Sequence, residues 1–260
     1  MEYSTFVKLA AEFFGTAILM IFGNGAVANV ELKNTKGHHA GWLNIAMGYG
    51  FGVMIPVLMF GAVSGAHINP AMTIAQAVNG LFDWSLVLPY IIAQLLGAAA
   101  GQLVVYITYY PHYKDTENAN AILGTFCTTD AHNDRINYFV NEFFGTLVLV
   151  FGALCCLSMP WGEADHAAAS IVVGFIVWGL VTSMGGPTGP GLNPAVISCR
   201  DCCTPSCRSR PRAPPAGARL GFRLSPRFWA LSWVRSCSSC SPDRIQSFVT
   251  CLPDRRISCV

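Results

Sequence analysis

The sequence predicts an all-α membrane protein, an inverted-repeat helical bundle, and three observations carry that prediction. The first is composition: 53% of the 260 residues are hydrophobic and 12% are charged, with a mean hydropathy of +0.45. A soluble domain carries charge on about a quarter of its residues. The second is a set of five apolar runs at 6–30, 43–63, 85–109, 138–159 and 167–184, each reaching or approaching the roughly 20 residues that cross a bilayer as a helix. The third is duplication. "AEFFGT" at 11–16 returns as "NEFFGT" at 141–146, and "SGAHINPA" at 64–71 returns as "GPGLNPA" at 189–195. Two halves with the same ordered parts signal a duplicated channel or transporter whose site lies between the repeats.

Taken in order, the first run contains Lys8 and Glu12 and extends far past the apolar part of a secretory leader, so a cleavable signal peptide is not expected. The second run leads into "INPA", and the segment after it, 72–82, spans only about two or three helical turns before "DWS" opens the third run. It reads as a helix crossing half the membrane. Three spans therefore precede the polar stretch 110–137, which starts the second copy on the opposite side of the bilayer and inverts the repeat. The first repeat occupies residues 1–109 and the second 137–195 of one channel-like domain, 1–195.

Asn-Pro-Ala has a direct physical reading at the start of a short helix. Asn is a favoured N-cap, and Pro fits the first helical position because its missing N–H would be unpaired there anyway. The Asn oxygen holds the helix end, which leaves its NH2 as a donor, and two such donors at mid-membrane could ligate a water or hydroxyl. Each half-helix also points about half a positive charge at the same place, repelling cations and admitting neutral solutes. One such tripeptide is a common turn. The duplicated set, Asn69, Pro70 and Ala71 with Asn193, Pro194 and Ala195, is specific.

In this order over residues 6–195, three quarters of the chain, these motifs resemble the aquaporin and glycerol-facilitator family. The resemblance implies an aquaporin-like bundle of nominally six tilted transmembrane helices and two half-helices. It also implies a homotetramer in the plasma membrane with one pore per subunit, the N-terminus in the cytoplasm, and no cofactor. Glu12 and Glu142 match the family's buried carboxylates, which brace the two loops by accepting backbone hydrogen bonds; a carboxylate inside a membrane is costly and needs donors. By position relative to the motifs, the family's constriction falls on Tyr49, Val181, Pro190 and Val196, the last standing where the family has Arg. Water-selective members have a His at the second of these places. Val181 leaves a wider, half-apolar opening, suited to glycerol-type polyols and open to other small neutral solutes such as urea, dihydroxyacetone and protonated lactic acid. His67 matches a vestibule residue, with a satisfied loop histidine as the alternative. His38, His39, His112, His132 and His166 fall in predicted loops and read as solvated.

The partners implied are small neutral solutes and the bilayer, without nucleic acid. A coupled secondary transporter is the alternative in another class, since it too is built from inverted repeats with broken helices; it would need a carboxylate at the pore midplane. No Ser/His/Asp set, metal cluster or phosphate loop stands at useful spacing in residues 1–195, so an enzyme is not expected. Orientation by charge runs the other way: Lys33, Lys36, Lys114 and Arg135 fall in the loops the family places outside, against Lys8 within.

The chain changes character at Ala195. Residues 1–195 hold 5 Lys and Arg against 11 Asp and Glu, while 196–260 hold 11 Arg against 3 Asp and 8 of the 11 cysteines. "CRDC" at 199–202 and "CSSC" at 237–240 offer C-x2-C pairs for zinc, but the Arg-, Ser- and Pro-rich surroundings offer no small core. The genetic code supplies another account. Cys codons end in a pyrimidine, so Cys202-Cys203 between Asp201 and Thr204 becomes Leu-Leu one base upstream, and "FWALSWV" at 228–234 becomes Leu-Gly-x-x-x-Gly. That Gly spacing suits a close-packed membrane helix. The reading is a one-base loss after the second motif, with residues 196–260 an aberrant, disordered tail that loses or replaces the sixth helix.

Overall fold

The structure, a computed structural model, describes residues 3–128, 131–132, 134–159, 165–189 and 191–196. Five helices are long and apolar enough to span a membrane: α1 (Thr5–Glu31), α2 (Trp42–Ser64), α4 (Trp84–Thr108), α7 (Arg135–Ser158) and α8 (His166–Thr188). Between α2 and α4 lies the short α3 (Pro70–Val78), and between α4 and α7 lie α5 (Tyr110–Asp115) and α6 (Ala119–Gly124). A further helix starts at Pro194. The chain is an integral, multi-pass membrane protein.

Local chemistry sets where the spans begin. Asp83, Asp134 and Asp165 cap α4, α7 and α8, each accepting through its carboxylate from one or two N–H groups of the first turn. The Ser85 N–H bonded to Asp83 holds that carboxyl below the usual carboxylate range. Along the spans the patterning is reversed from that of a soluble bundle. Glu12, Thr16, Asn24, Gln94, Gln102, Glu142 and Thr146 are buried, while Phe14, Leu88, Leu96, Ile107 and Phe151 face outward. In lipid the apolar side chain needs no shelter and the polar one does.

The spans form a row in which α1 packs on both α4 and α2, α2 on α8, and α8 on α7. The two repeats thus meet through their second helices, and α3 bridges them by touching α4 of its own half and α7 of the other. Close approach of α1 and α4 depends on Gly97 and Gly101: a Cβ on Gly97 would collide with the Phe13 carbonyl, and one on Gly101 would lie 2.8 Å from Met20 Cβ.

The connector 110–137 is more structured than the polar stretch the sequence suggested. Tyr113, Phe126, Cys127 and Thr128 are buried in it, and it docks on the end of α1 through Lys33 N–H to Thr116 Oγ1 (2.9 Å) and Asn34 Nδ2 to Asp115 Oδ2 (3.0 Å). Two histidines expected to be merely solvated bond backbone carbonyls at this end of α1, one from the α1–α2 loop and one from the connector. His38 Nδ1 bonds the Val30 carbonyl (3.2 Å) and is half-buried, and His112 Nδ1 bonds the Lys33 carbonyl (3.0 Å). The sixth span, the C-x2-C pairs and the tail expected at 197–260 lie outside the described residues.

Candidate functional site

The two Asn-Pro-Ala sequences sit where two loops meet inside the bundle. α2 ends at Gly65 in the left-handed region (φ 83°), whose N–H donates to the Gly61 carbonyl at 3.0 Å. The chain then folds back through Ala66 and Ile68 at φ 42° and 41°. For the β-branched Ile68 this backbone is strained, and both of its backbone groups are held. Its N–H donates to Glu12 Oε2 at 2.8 Å, and its carbonyl accepts from Asn193 Nδ2 at 2.7 Å.

Each Asn caps its own helix: Asn69 Oδ1 accepts from Ala71 N–H, and Asn193 Oδ1 from Ala195 N–H, both at 2.9 Å, with Pro70 and Pro194 at the first helical positions. Each also ties the opposite loop. Asn69 Nδ2 donates to the Leu192 carbonyl at 3.1 Å, reciprocating the bond from Asn193 to Ile68. The sequence reading left both NH2 groups free; the structure spends one hydrogen of each on the other loop and leaves one.

Glu12, fully buried on α1, accepts four hydrogen bonds: from Ser64 Oγ (2.7 Å), His67 N–H (2.9 Å), Ile68 N–H (2.8 Å) and Gln94 Nε2 (2.8 Å). Its counterpart Glu142, equally buried on α7, accepts from Thr188 Oγ1 at 2.7 Å, next to the bonds from Asn141 Nδ2 to Met184 O and Thr188 Oγ1. His67 is buried beside Phe82 and Tyr90. Its Nδ1 lies 3.2 Å from Thr73 Oγ1, whose hydroxyl donates to the Asn69 carbonyl and already accepts from Gln94 Nε2. Nδ1 is therefore the protonated nitrogen, and Nε2 is left as an acceptor.

His67, Asn69 and Asn193 border a cavity of about 250 Å³. Tyr49, Val181 and Val196 line it and are buried; Pro190 lies outside the described residues. Leu19, Val53, Leu149 and Val177 line it with aliphatic side chains, and His67, Asn69 and Asn193 with polar ones. Among the described residues no carboxylate, Lys or Arg lines it. His166 is not a loop residue but the first of α8, and it lines the cavity with Ser170, Val173, Val177 and Val181. Those positions, three or four apart, make one helical face, a signal present in the sequence. The arrangement suits a neutral solute with a hydrocarbon side and a hydroxyl side.

A sequence model of the family described as major intrinsic protein matches residues 2–199. The chain belongs to that family. Among its relatives is the glycerol uptake facilitator protein-like 5 of Lactiplantibacillus plantarum, 52% identical, the alignment covering 87% of this chain and 88% of that one. Another is the glycerol facilitator-aquaporin gla of Lactococcus lactis subsp. cremoris, 44% identical over 75% of this chain and 82% of the relative. The X-ray structure of the aquaglyceroporin from Plasmodium falciparum is similar in fold, with a TM-score of 0.74 and 26% identity, covering 88% of this chain and 93% of that one.

Proposed function

We propose that this member of the major intrinsic protein family is a passive channel of the glycerol-facilitator type, conducting glycerol and similar polyols along with water and other small neutral solutes. The observation that carries the proposal is the reciprocal pair of Asn residues. Each caps a helix N-terminus, ties the opposite loop, and borders a cavity lined by both aliphatic and polar side chains. Hydroxyls of a solute can accept from the remaining amide hydrogens and donate to His67 Nε2 while its carbons face Leu19, Val53 and Val177. Two helix N-termini at this point disfavour cations. Tyr49, Val181, Pro190 and Val196 form the constriction, and Glu12 and Glu142 brace the loops. With its sixth helix in frame the channel works as a homotetramer in the plasma membrane with its N-terminus in the cytoplasm, and residues 1–195 form the channel domain that remains in this chain, impaired by the loss of that helix.

Stopped-flow light scattering of vesicles containing the chain with one base restored after codon 194 tests this with glycerol, urea and water in turn. The expected result is solute flux that follows the solute gradient alone. Flux that requires a proton or sodium gradient would instead make the chain a coupled transporter, and water flux with glycerol excluded would overturn the choice of solute.

A further inference from the structure

Tyr49 is held by a buried polar node at the height of the constriction. Its hydroxyl donates to Asn24 Oδ1 at 2.5 Å, and Asn24 Nδ2 donates both its hydrogens, to Gln102 Oε1 (2.6 Å) and to the Thr125 carbonyl (3.1 Å). A backbone carbonyl can only accept, so Thr125 fixes which end of the Asn24 amide faces it. Oδ1 is thereby turned to Tyr49, and the Tyr49 hydroxyl must be the donor. Every hydrogen-bonding hydrogen of Asn24 is used. Asn24 and Gln102 are 1% and 0% exposed in the last third of spans α1 and α4, and Gln102 Nε2 has no partner among the described residues. Such a node is costly in a membrane bundle, where an aliphatic pair would pack without penalty.

The same ring rests on backbone. A Cβ on Gly23, the residue before Asn24, would lie 2.5 Å from Tyr49 Cδ1 and 3.0 Å from Cζ. The ring is thus gripped between the α1 backbone at Gly23 and the amide at Asn24. Thr125 belongs to the connector between the repeats, and its hydroxyl in turn bonds Tyr113 Oη at 2.8 Å. The connector therefore reaches the cavity wall through Asn24.

We propose that Asn24 is a specificity-determining positioning residue: by joining the connector carbonyl at Thr125 to the hydroxyl of Tyr49, it holds the Tyr49 ring against Gly23 and so sets which polyols pass. The proposal rests on the channel reading. It assigns opposite signs to two neighbours. Asn24→Ala releases the hydroxyl and vacates space behind the ring, which widens the opening; Gly23→Ala pushes the ring toward the cavity it lines, which narrows it.

The test measures permeability to water, glycerol and the four-carbon polyol erythritol, in the 260-residue chain and in a chain with one base restored after codon 194. Asn24→Ala and Tyr49→Phe should each raise the erythritol-to-glycerol ratio roughly 5- to 10-fold, the loss expected of one net hydrogen bond. The double variant should do no more than either alone, and Gly23→Ala should lower the ratio. A second readout needs no flux. With 3-fluorotyrosine at position 49, the ¹⁹F resonance should be single and narrow in the parent, and shifted and broadened by Asn24→Ala. Unchanged ratios with an unchanged resonance would overturn the proposal, as would additive effects of Asn24→Ala and Tyr49→Phe. If neither background carried any solute while the resonance still shifted, the channel reading would fail and the positioning of the ring would stand.

Discussion

Replacing Glu12 with Ala removes the acceptor shared by four donors in the loop before Asn69. Two of these donors are the backbone N–H groups of His67 and Ile68, and Ala66 and Ile68 lie at positive φ between helices α2 and α3. Leaving a buried backbone donor without a partner costs about 1–3 kcal/mol, so the pair together costs about 2–6 kcal/mol against a total stability on the order of 5–15 kcal/mol. Release of strain at Ile68 returns about 1–3 kcal/mol, but only if the loop leaves its place and carries Asn69 with it. The expected outcome is a fall in the unfolding midpoint of purified protein of about 4–24 °C, from roughly 2–4 °C per kcal/mol at this chain length, with much less protein in the membrane. Glu12→Gln keeps one oxygen for Ser64 and His67 and sets an NH2 against the Ile68 N–H, so it should fall between parent and Ala. An Ala variant with parental midpoint, abundance and glycerol flux would refute the bracing argument. Parental abundance with altered proton coupling would favour the transporter instead.

Other substitutions read the remaining parts of the site. Glu142→Ala should reduce abundance in the membrane by immunoblot, because Thr188 Oγ1 loses its shorter bond at the end of α8 and keeps only the longer one to the Gly189 carbonyl. Val181→His should lower glycerol relative to water permeability severalfold in stopped-flow assays, since it narrows and polarises a buried aliphatic position on the cavity. Gly101→Leu should wedge α1 from α4 at Ala17 and Met20, costing at least the roughly 1–3 kcal/mol of an overpacked core, and protease resistance in membranes should drop.

Much of the fold was legible because a membrane span is a composition signal: the five runs read from hydropathy are the five long helices. The half-helix was legible because Asn and Pro act locally, through one cap and one fixed φ. What escaped were the groups whose meaning depends on distant partners. Asn24, Gln94 and Gln102 are single polar residues within apolar runs, and nothing in their neighbourhood says that Asn24 meets Tyr49 and Thr125 or that Gln94 meets Glu12 and Thr73. Polar residues inside a span are themselves the signal, and reading them by position as Glu12 was read would have marked all three. The connector escaped for another reason. Its helices α5 and α6 are one to two turns long, too short for any period to show, and its burial comes from docking on α1.

The last prediction follows from how the half-helices are held. α3 stands between α4 of its own repeat and α7 of the other. By the inverted symmetry, a complete channel would seat the helix that starts at Pro194 between α1 and a sixth span. The first partner is in place, since Ala195 and Val196 share a buried cluster with Leu19 and Met20. A second partner must come from residues after 196, where the chain reads "RSRPRAPPAGAR" at 208–219. Each Arg at a bilayer centre costs roughly 2.5–3.5 kcal/mol, and the prolines forbid a continuous helix. Val196 also stands where the resemblance to the family expects an Arg, whose guanidinium would donate to solute hydroxyls. We therefore propose that a one-base loss after the second motif leaves the pore wall incomplete, so that the 260-residue chain conducts no glycerol above background and is unstable. Restoring one base after codon 194 should recover both assembled protein and flux, measured at matched membrane levels. Equal glycerol flux from the two chains would show that residues 196–260 complete the channel as they stand, and the frameshift account would be wrong.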